Sequence, residues 1–138
     1  MSGITIRAAD QSDARALLAL WLEADAEPTH TDNVDSLRRL ITHNSRALII
    51  AEEGRQIVGS VIAGWDGWRG SIYRLAVAPG RRRRGIGTRL RREAERLLAE
   101  AGATRLQAIV VEPDSSAIAF WRASGWEQQT DRVRFVRG

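Results

Sequence analysis

"LAVAPGRRRRGIGTRL", residues 75–90, carries an apolar stretch into a proline, four consecutive arginines and two glycines one residue apart. Downstream, Ile86, Leu90, Ala94, Leu97, Leu98 and Ala101 recur on one side of a helix that the pattern starts near Gly85 and Gly102 ends. The first backbone N–H groups of a helix have no partner inside it, and a Ser, Thr, Asp or Asn cap normally satisfies some of them. Arg81 to Arg84 accept no hydrogen bond. Their charge also sits badly beside the positive end of a helix dipole. A bound anion repairs both faults, and Gly85 and Gly87 let the backbone approach it closely. The stretch therefore predicts an anion cradle at the turn from a strand into a helix.

The type of anion follows by elimination. A Walker loop needs Lys-Ser/Thr after its second glycine, whereas Gly85 is followed by Ile86-Gly87. A dinucleotide fingerprint needs a third glycine where this chain has Leu90. Nucleic acid is the rival ligand, because arginine clusters form electrostatic patches. Yet Arg89, Arg91 and Arg96 have Glu93, Glu95 and Glu100 four residues on, the spacing of paired charges on a solvated helix face. The unbalanced positives are thus expected only in a short loop, which suits a compact polyphosphate better than a duplex.

Composition narrows the setting. With 138 residues, 43% hydrophobic and 28% charged, the chain has the make-up of one globular domain spanning 1–138. There is no cysteine, so disulfides, thiolate metal sites and a cysteine nucleophile are excluded, and no metal is expected. All 21 basic residues are arginine, so the chain carries no lysine amine; the net charge is +4. No apolar run approaches the roughly 20 residues of a membrane span. "MSGITIRAAD" lacks the basic start and apolar stretch of a secretory signal, so a cytoplasmic protein without a membrane partner is expected.

Around the central stretch, residues 4–9 read as a strand and Asp10 as the cap before a helix carrying Ala14, Leu17, Leu18, Trp21 and Leu22. Residues 23–35 read as a loop and 34–43 as a second helix. Strands are expected at 46–53 and 56–65 around a Gly54-Arg55 turn, then at 71–79 and 104–111. A short helix is expected at 115–124 and a closing strand pair at 126–136. Sequential antiparallel strands joined to strand–helix–strand units predict a mixed-sheet α/β or α+β domain.

The quoted stretch resembles the acetyl-CoA-binding signature of the GNAT family of N-acetyltransferases, Arg/Gln-x-x-Gly-x-Gly/Ala after a strand ending in proline, with Arg82, Gly85 and Gly87 at its positions. "DSSAIAFWRASGW" (114–126) resembles the family's second signature, and "GWDGWRG" (64–70) resembles a small single-domain bacterial type. The resemblance implies a mixed, mostly antiparallel central sheet flanked by helices, with acetyl-CoA as co-substrate. It assigns the backbone of Leu75, Ala76 and Val77 to the pantetheine arm, although the Leu75 and Val77 side chains would be core in any fold. The amides of Arg83, Arg84, Gly85, Ile86, Gly87 and Thr88, with the Arg82 side chain, correspond to the pyrophosphate cradle. Arg81 or Arg84 is assigned to the remaining phosphate.

Asp114 stands for the family's asparagine, as a pantetheine partner or as a plain helix cap. Trp121 stands for the tyrosine that commonly protonates the departing thiolate, and an indole N–H donates a hydrogen bond without serving as that acid. Water or Tyr73 would replace it, unless Tyr73 faces the core. For the general base, Glu112 is the first candidate and Glu23 and Asp25 the next; each is otherwise a solvated carboxylate. The family's acceptor wall corresponds to a loop rich in acid, with Glu23, Asp25, Glu27, Asp32 and Asp35, which would attract a cationic amine. The alternatives are a coenzyme A-binding relative without turnover and, less favoured, an arginine-rich nucleic-acid binder. A homodimer is possible for this fold, with Trp65, Trp68 and Trp126 either at its interface or simply packed.

Overall fold

A computed structural model describes residues 3–110 and 114–138. They form two compact units, one within residues 3–108 and one from 109 onward. The larger unit holds β1 (Ile4–Ala8), α1 (Ala14–Glu23), α2 (Val34–His43), β2 (Leu48–Glu53), β3 (Gln56–Trp65), β4 (Gly70–Val77), α3 (Ile86–Ala101) and β5 (Leu106–Ala108). The smaller holds α4 (Ser115–Ala123). The sheet order is β1-β2-β3-β4-β5, antiparallel except for the parallel β4–β5 pair. This is the mixed, mostly antiparallel sheet expected. Among the described residues, no helix is long and apolar enough to cross a membrane.

Strand alternation places the helices on opposite faces. Gly59 and Ser60 are consecutive on β3, so their side positions point to opposite sides of the sheet. Ser60 meets Trp21 of α1 on one side. On the other, a Cβ built on Gly59 would lie 2.9 Å from Leu90 Cδ1 and 3.1 Å from Ile86 Cγ2 of α3. Leu17, Leu48, Ile50, Val58, Val61, Leu90 and Leu98 are fully buried between these layers. Each such side chain contributes about 1.5–3 kcal/mol of burial, which outweighs any local propensity in holding α3 to the sheet.

Local signals set the ends of the elements. Asp10 accepts the Ser12 amide, and Asp13 in turn accepts the Asp10 amide. Arg7 of β1 clamps Asp13 at 2.9 Å and Glu52 of β2 at 3.2 Å, and the Asp13 carboxyl is held below its ordinary value chiefly by that guanidinium. Asn33 caps α2 through the Ser36 amide. Gly54 turns the β2–β3 hairpin with φ +63°, and Gly102 ends α3 with φ +114°.

Several expectations are corrected. Residues 126–136 form no strand pair, and Val133, Phe135 and Val136 are exposed. Alternating apolar residues make a strand only where another backbone completes the ladder, and none of the described residues pairs with this segment. β5 spans Leu106–Ala108 rather than 104–111, within the described residues. Tyr73 is 48% exposed rather than core-facing, and Leu75 and Val77 are half-buried. Arg89 donates to the Ile4 carbonyl while Glu93 pairs with Arg96, so the expected Arg89–Glu93 pair is replaced.

The fit of α3 over β3 leaves no room at Gly59. Gly59→Val should destabilise the protein by about 1–3 kcal/mol by overpacking against Leu90 and Ile86. Urea unfolding measures this, with Gly80→Ala as the control because a Cβ at Gly80 meets nothing within 4 Å.

Candidate active site

The central feature is a break in the pairing of β4. Along β3, Gly59 pairs with Val77, Ser60 with Ala76 and Ile62 with Tyr73, so Val61 opposes both Arg74 and Leu75. This is a β-bulge. Arg74 takes φ +51°, a left-handed conformation that costs a non-glycine residue about 1–2 kcal/mol. A buried relay holds it there: Trp21 Nε1 donates to Ser60 Oγ at 2.8 Å, and Ser60 Oγ donates to the Arg74 carbonyl at 2.8 Å. Trp21 is 3% exposed and Ser60 is fully buried.

Beyond the bulge, β4 loses its second neighbour. β5 pairs only with Gly70, Ser71 and Ile72, while β3 accompanies β4 to Val77. The Ala78 amide donates to the Val58 carbonyl, so ladder alternation turns the Val77 peptide groups away from β3. The Val77 carbonyl accepts from Arg82 Nε at 3.2 Å, and Arg82 Nη2 donates to the Ala24 carbonyl at 3.4 Å. Among the described residues no strand pairs with this edge of β4 from Tyr73 to Val77, and the end of α1 lies within reach of it.

The start of α3 is bare. Gly85 occupies the cap position with φ +79°, and no side chain caps the helix. The first intrahelical bond runs from the Arg89 amide to the Gly85 carbonyl at 3.0 Å. The amides of Ile86, Gly87 and Thr88 precede it and find no acceptor among the described residues. A Cβ on Gly85 would meet nothing within 4 Å among the described residues, so the side position of the cap residue is unfilled. Ile86 sits at 2% exposure under the helix start and anchors it to the sheet.

The four arginines divide unequally. Arg81 Nε binds Glu53 Oε1 at 2.7 Å, and Arg84 Nη2 binds Glu53 Oε2 at 2.8 Å. The expectation of four unbalanced positives is therefore corrected: two share the carboxylate at the end of β2. Hydrogen bonds from Arg84 and Arg81 hold the Glu53 carboxyl down at about 2. The sign is that of a depressed acid, so this pairing is fully present above the ordinary 4.5 and is lost only as pH falls through about 2. Arg83, with φ +65°, is exposed and makes no side-chain ion pair among the described residues.

Glu23 and Asp25 are exposed at the end of α1. Glu112 lies outside the described residues. In the smaller unit, Asp114 caps α4 through the Ala117 amide at 3.0 Å. Trp121 packs edge-on against Phe120 and Trp126, with ring centroids 5.6 and 4.6 Å away. Sequence reasoning missed Ser60, Arg74 and Glu53. An arginine inside the apolar strand "SIYRLAVA" was the available signal for Arg74; Ser60 and Glu53 gave none.

An open strand edge feeding a glycine-started, uncapped helix is a place for an extended ligand ending in phosphates. Known proteins agree with this geometry. The family model of the GNAT acetyltransferases matches residues 13–126, and the chain belongs to that family. An acetyltransferase of Yersinia enterocolitica is 33% identical over 124 residues, covering 90% of this chain and 88% of the relative. One of Pectobacterium atrosepticum is 33% identical over 122 residues, covering 88% and 86%. Among solved structures, the PaiA N-acetyltransferase of Thermoplasma acidophilum, in complex with coenzyme A, superposes with a TM-score of 0.79 at 17% identity over 93% of this chain and 92% of that one. The protein is an acetyltransferase, and acetyl-CoA is the donor used by its fold.

The bulge depends on one hydroxyl. Ser60→Ala should cost about 1–3 kcal/mol by leaving the Trp21 indole N–H buried without an acceptor. In a double-mutant cycle with Trp21→Phe, the combined loss in urea unfolding should be clearly less than the sum of the single losses.

Proposed function

We propose that this protein transfers the acetyl group of acetyl-CoA to a primary amine by direct attack in a ternary complex, with both units making one catalytic domain. The family match running from residue 13 to 126 crosses both units and supports the last point. The observation that carries the reading is the bare, glycine-opened start of α3 beside the unpaired edge of β4. The edge would take the amide groups of the pantetheine arm along Leu75, Ala76 and Val77, with the outward peptide groups of Val77 as partners and those of Ala76 turned to β3. The amides from Arg83 to Thr88, with the Arg82 and Arg83 guanidiniums, would take the diphosphate. Arg84 is held by Glu53 in this structure, so it would assist only by adding field.

Direct attack is favoured because the sequence contains no cysteine to form an acyl-thioester intermediate. Only the neutral amine attacks. A lysine-like amine near pKa 10.4 is neutral in about one molecule in 2,500 at pH 7, so a base matters for such acceptors. Glu112 remains the first candidate, followed by Glu23 and Asp25. The thiol leaves without strong need of an acid, since thiols titrate near pKa ~8.5. The Trp121 indole would pack and donate a hydrogen bond, and water or the exposed Tyr73 hydroxyl would supply the proton. The exposed acids at the end of α1 favour a cationic acceptor. A cytoplasmic setting and a homodimer remain readings of the sequence and of the family.

A second reading, coenzyme A binding without turnover, is favoured by one observation: Trp121 stands where the family carries its acid. Under the main reading, calorimetry shows saturable binding of acetyl-CoA and coenzyme A. Gly85→Ala should weaken it by about tenfold or more, because an alanine at φ +79° strains the helix start that presents the free amides and adds a methyl beside them. Equal affinity in that variant, or no binding by the folded wild type, overturns the cradle. Thiol release across an amine panel separates the two readings. Trp121→Tyr should change the wild-type rate by less than about tenfold, a small part of what general acid catalysis supplies; a far larger gain would mark the native site as crippled.

A further inference from the structure

The side chain of Arg74 does a second thing besides marking the bulge. Its guanidinium lies 5.2 Å over the Trp21 ring, and its Nη2 donates to the Glu27 carbonyl at 2.8 Å and to Asp32 Oδ2 at 2.6 Å. The Arg74 and Asp32 side chains are each only 18% exposed. Asp32 in turn organises its own loop, accepting the Thr29 amide and hydroxyl at 3.3 Å each. At the other end of that loop, Ala24 is tied to Arg82, whose guanidinium also binds the Val77 carbonyl on the open edge. The loop between α1 and α2 is therefore fastened twice to β4 and its cradle. Glu23, Asp25 and Glu27 remain exposed along it, while Asp32 is engaged by the protein's own cation.

We propose that Arg74 is a positioning residue for the acceptor: by binding the Glu27 carbonyl and Asp32, it holds the 24–33 loop beside the open edge of β4, where the exposed carboxylates receive a cationic amine. The left-handed backbone of Arg74 aims the side chain at α1 and the loop, and the Trp21 ring fixes its path. Bulge and strap are thus the same residue, so the edge for the donor and the wall for the acceptor are set together. A partly buried, charge-assisted pair of this kind is strong enough to hold a loop that has no helix or strand of its own.

The inference rests on the amine-transfer reading of the site, and the experiment separates the two. Amide hydrogen exchange of the whole protein is followed in Arg74→Gln, Asp32→Asn and the double variant. Exchange across residues 24–33 should rise by about tenfold or more in each single variant, with β2 and β3 unchanged and the double variant no faster than either single. Arg74→Gly, which relieves the backbone, should loosen the loop equally, and Arg74→Lys should restore at least part of the protection. With spermidine as probe acceptor, the KM for the amine should rise about fivefold or more in Arg74→Gln while acetyl-CoA affinity stays within about twofold. Loop exchange within about twofold of wild type in both single variants overturns the strap. So does an unchanged spermidine KM, or a parallel loss of acetyl-CoA binding, in Arg74→Gln. Should the wild type bind acetyl-CoA and turn over no amine, the functional reading fails and the exchange measurement alone decides the strap.

Discussion

Between β3 and β4, one residue faces two, and a buried hydroxyl holds the mismatch. Ser60 Oγ stands between the Trp21 indole and the Arg74 carbonyl at 2.8 Å to each, satisfying both ends of the relay in the dry layer under α1. A left-handed arginine is costly on its own and persists because its surroundings determine it from several sides. The consequence is topological. The bulge reorients β4 just where β5 stops pairing, and an edge that would otherwise be sealed by ladder bonds is left open.

The charges around that edge are arranged rather than merely abundant. Of the four arginines before α3, two are bound to Glu53 and one bridges Val77 and Ala24. Such pairing keeps the loop from repelling itself while leaving the helix amides and Arg83 facing outward. Glu53 stays ionised far below neutral pH because two guanidiniums share it, so the arrangement is insensitive to pH in the working range. Along α3, Arg91 pairs with Glu95 and Arg96 with Glu93 and Glu100. Two of the four arginines before α3, and Arg91 and Arg96 along it, are thus held in internal pairs, which weakens the case for a long polyanion as ligand.

Much of the fold was legible because its signals are local. α2 and β3 begin and end where periodicity and turn residues put them, and Gly102 ends α3 as its position demanded. The α3 start was legible for a different reason, since it breaks two local rules at once. The closing strands were misread because the alternation in "DRVRFVRG" reports only which face a strand would bury, and not whether a neighbour exists to pair with it. Whether Tyr73 faces the core was not legible either, because its place in an apolar run said nothing about a bulge one residue later.

By itself, the sequence determined the family, the order of elements from β1 to α4 and the bare glycine start of α3, all carried by residues within a turn or two of one another. The tertiary structure decided the rest: the bulge at Arg74, the Ser60 relay, the sharing of Glu53 by Arg81 and Arg84, and the fastening of the 24–33 loop. Each of these joins residues 14 to 58 positions apart in the chain. Which polar groups meet at such separations depends on strand register and helix packing, and no local propensity encodes that.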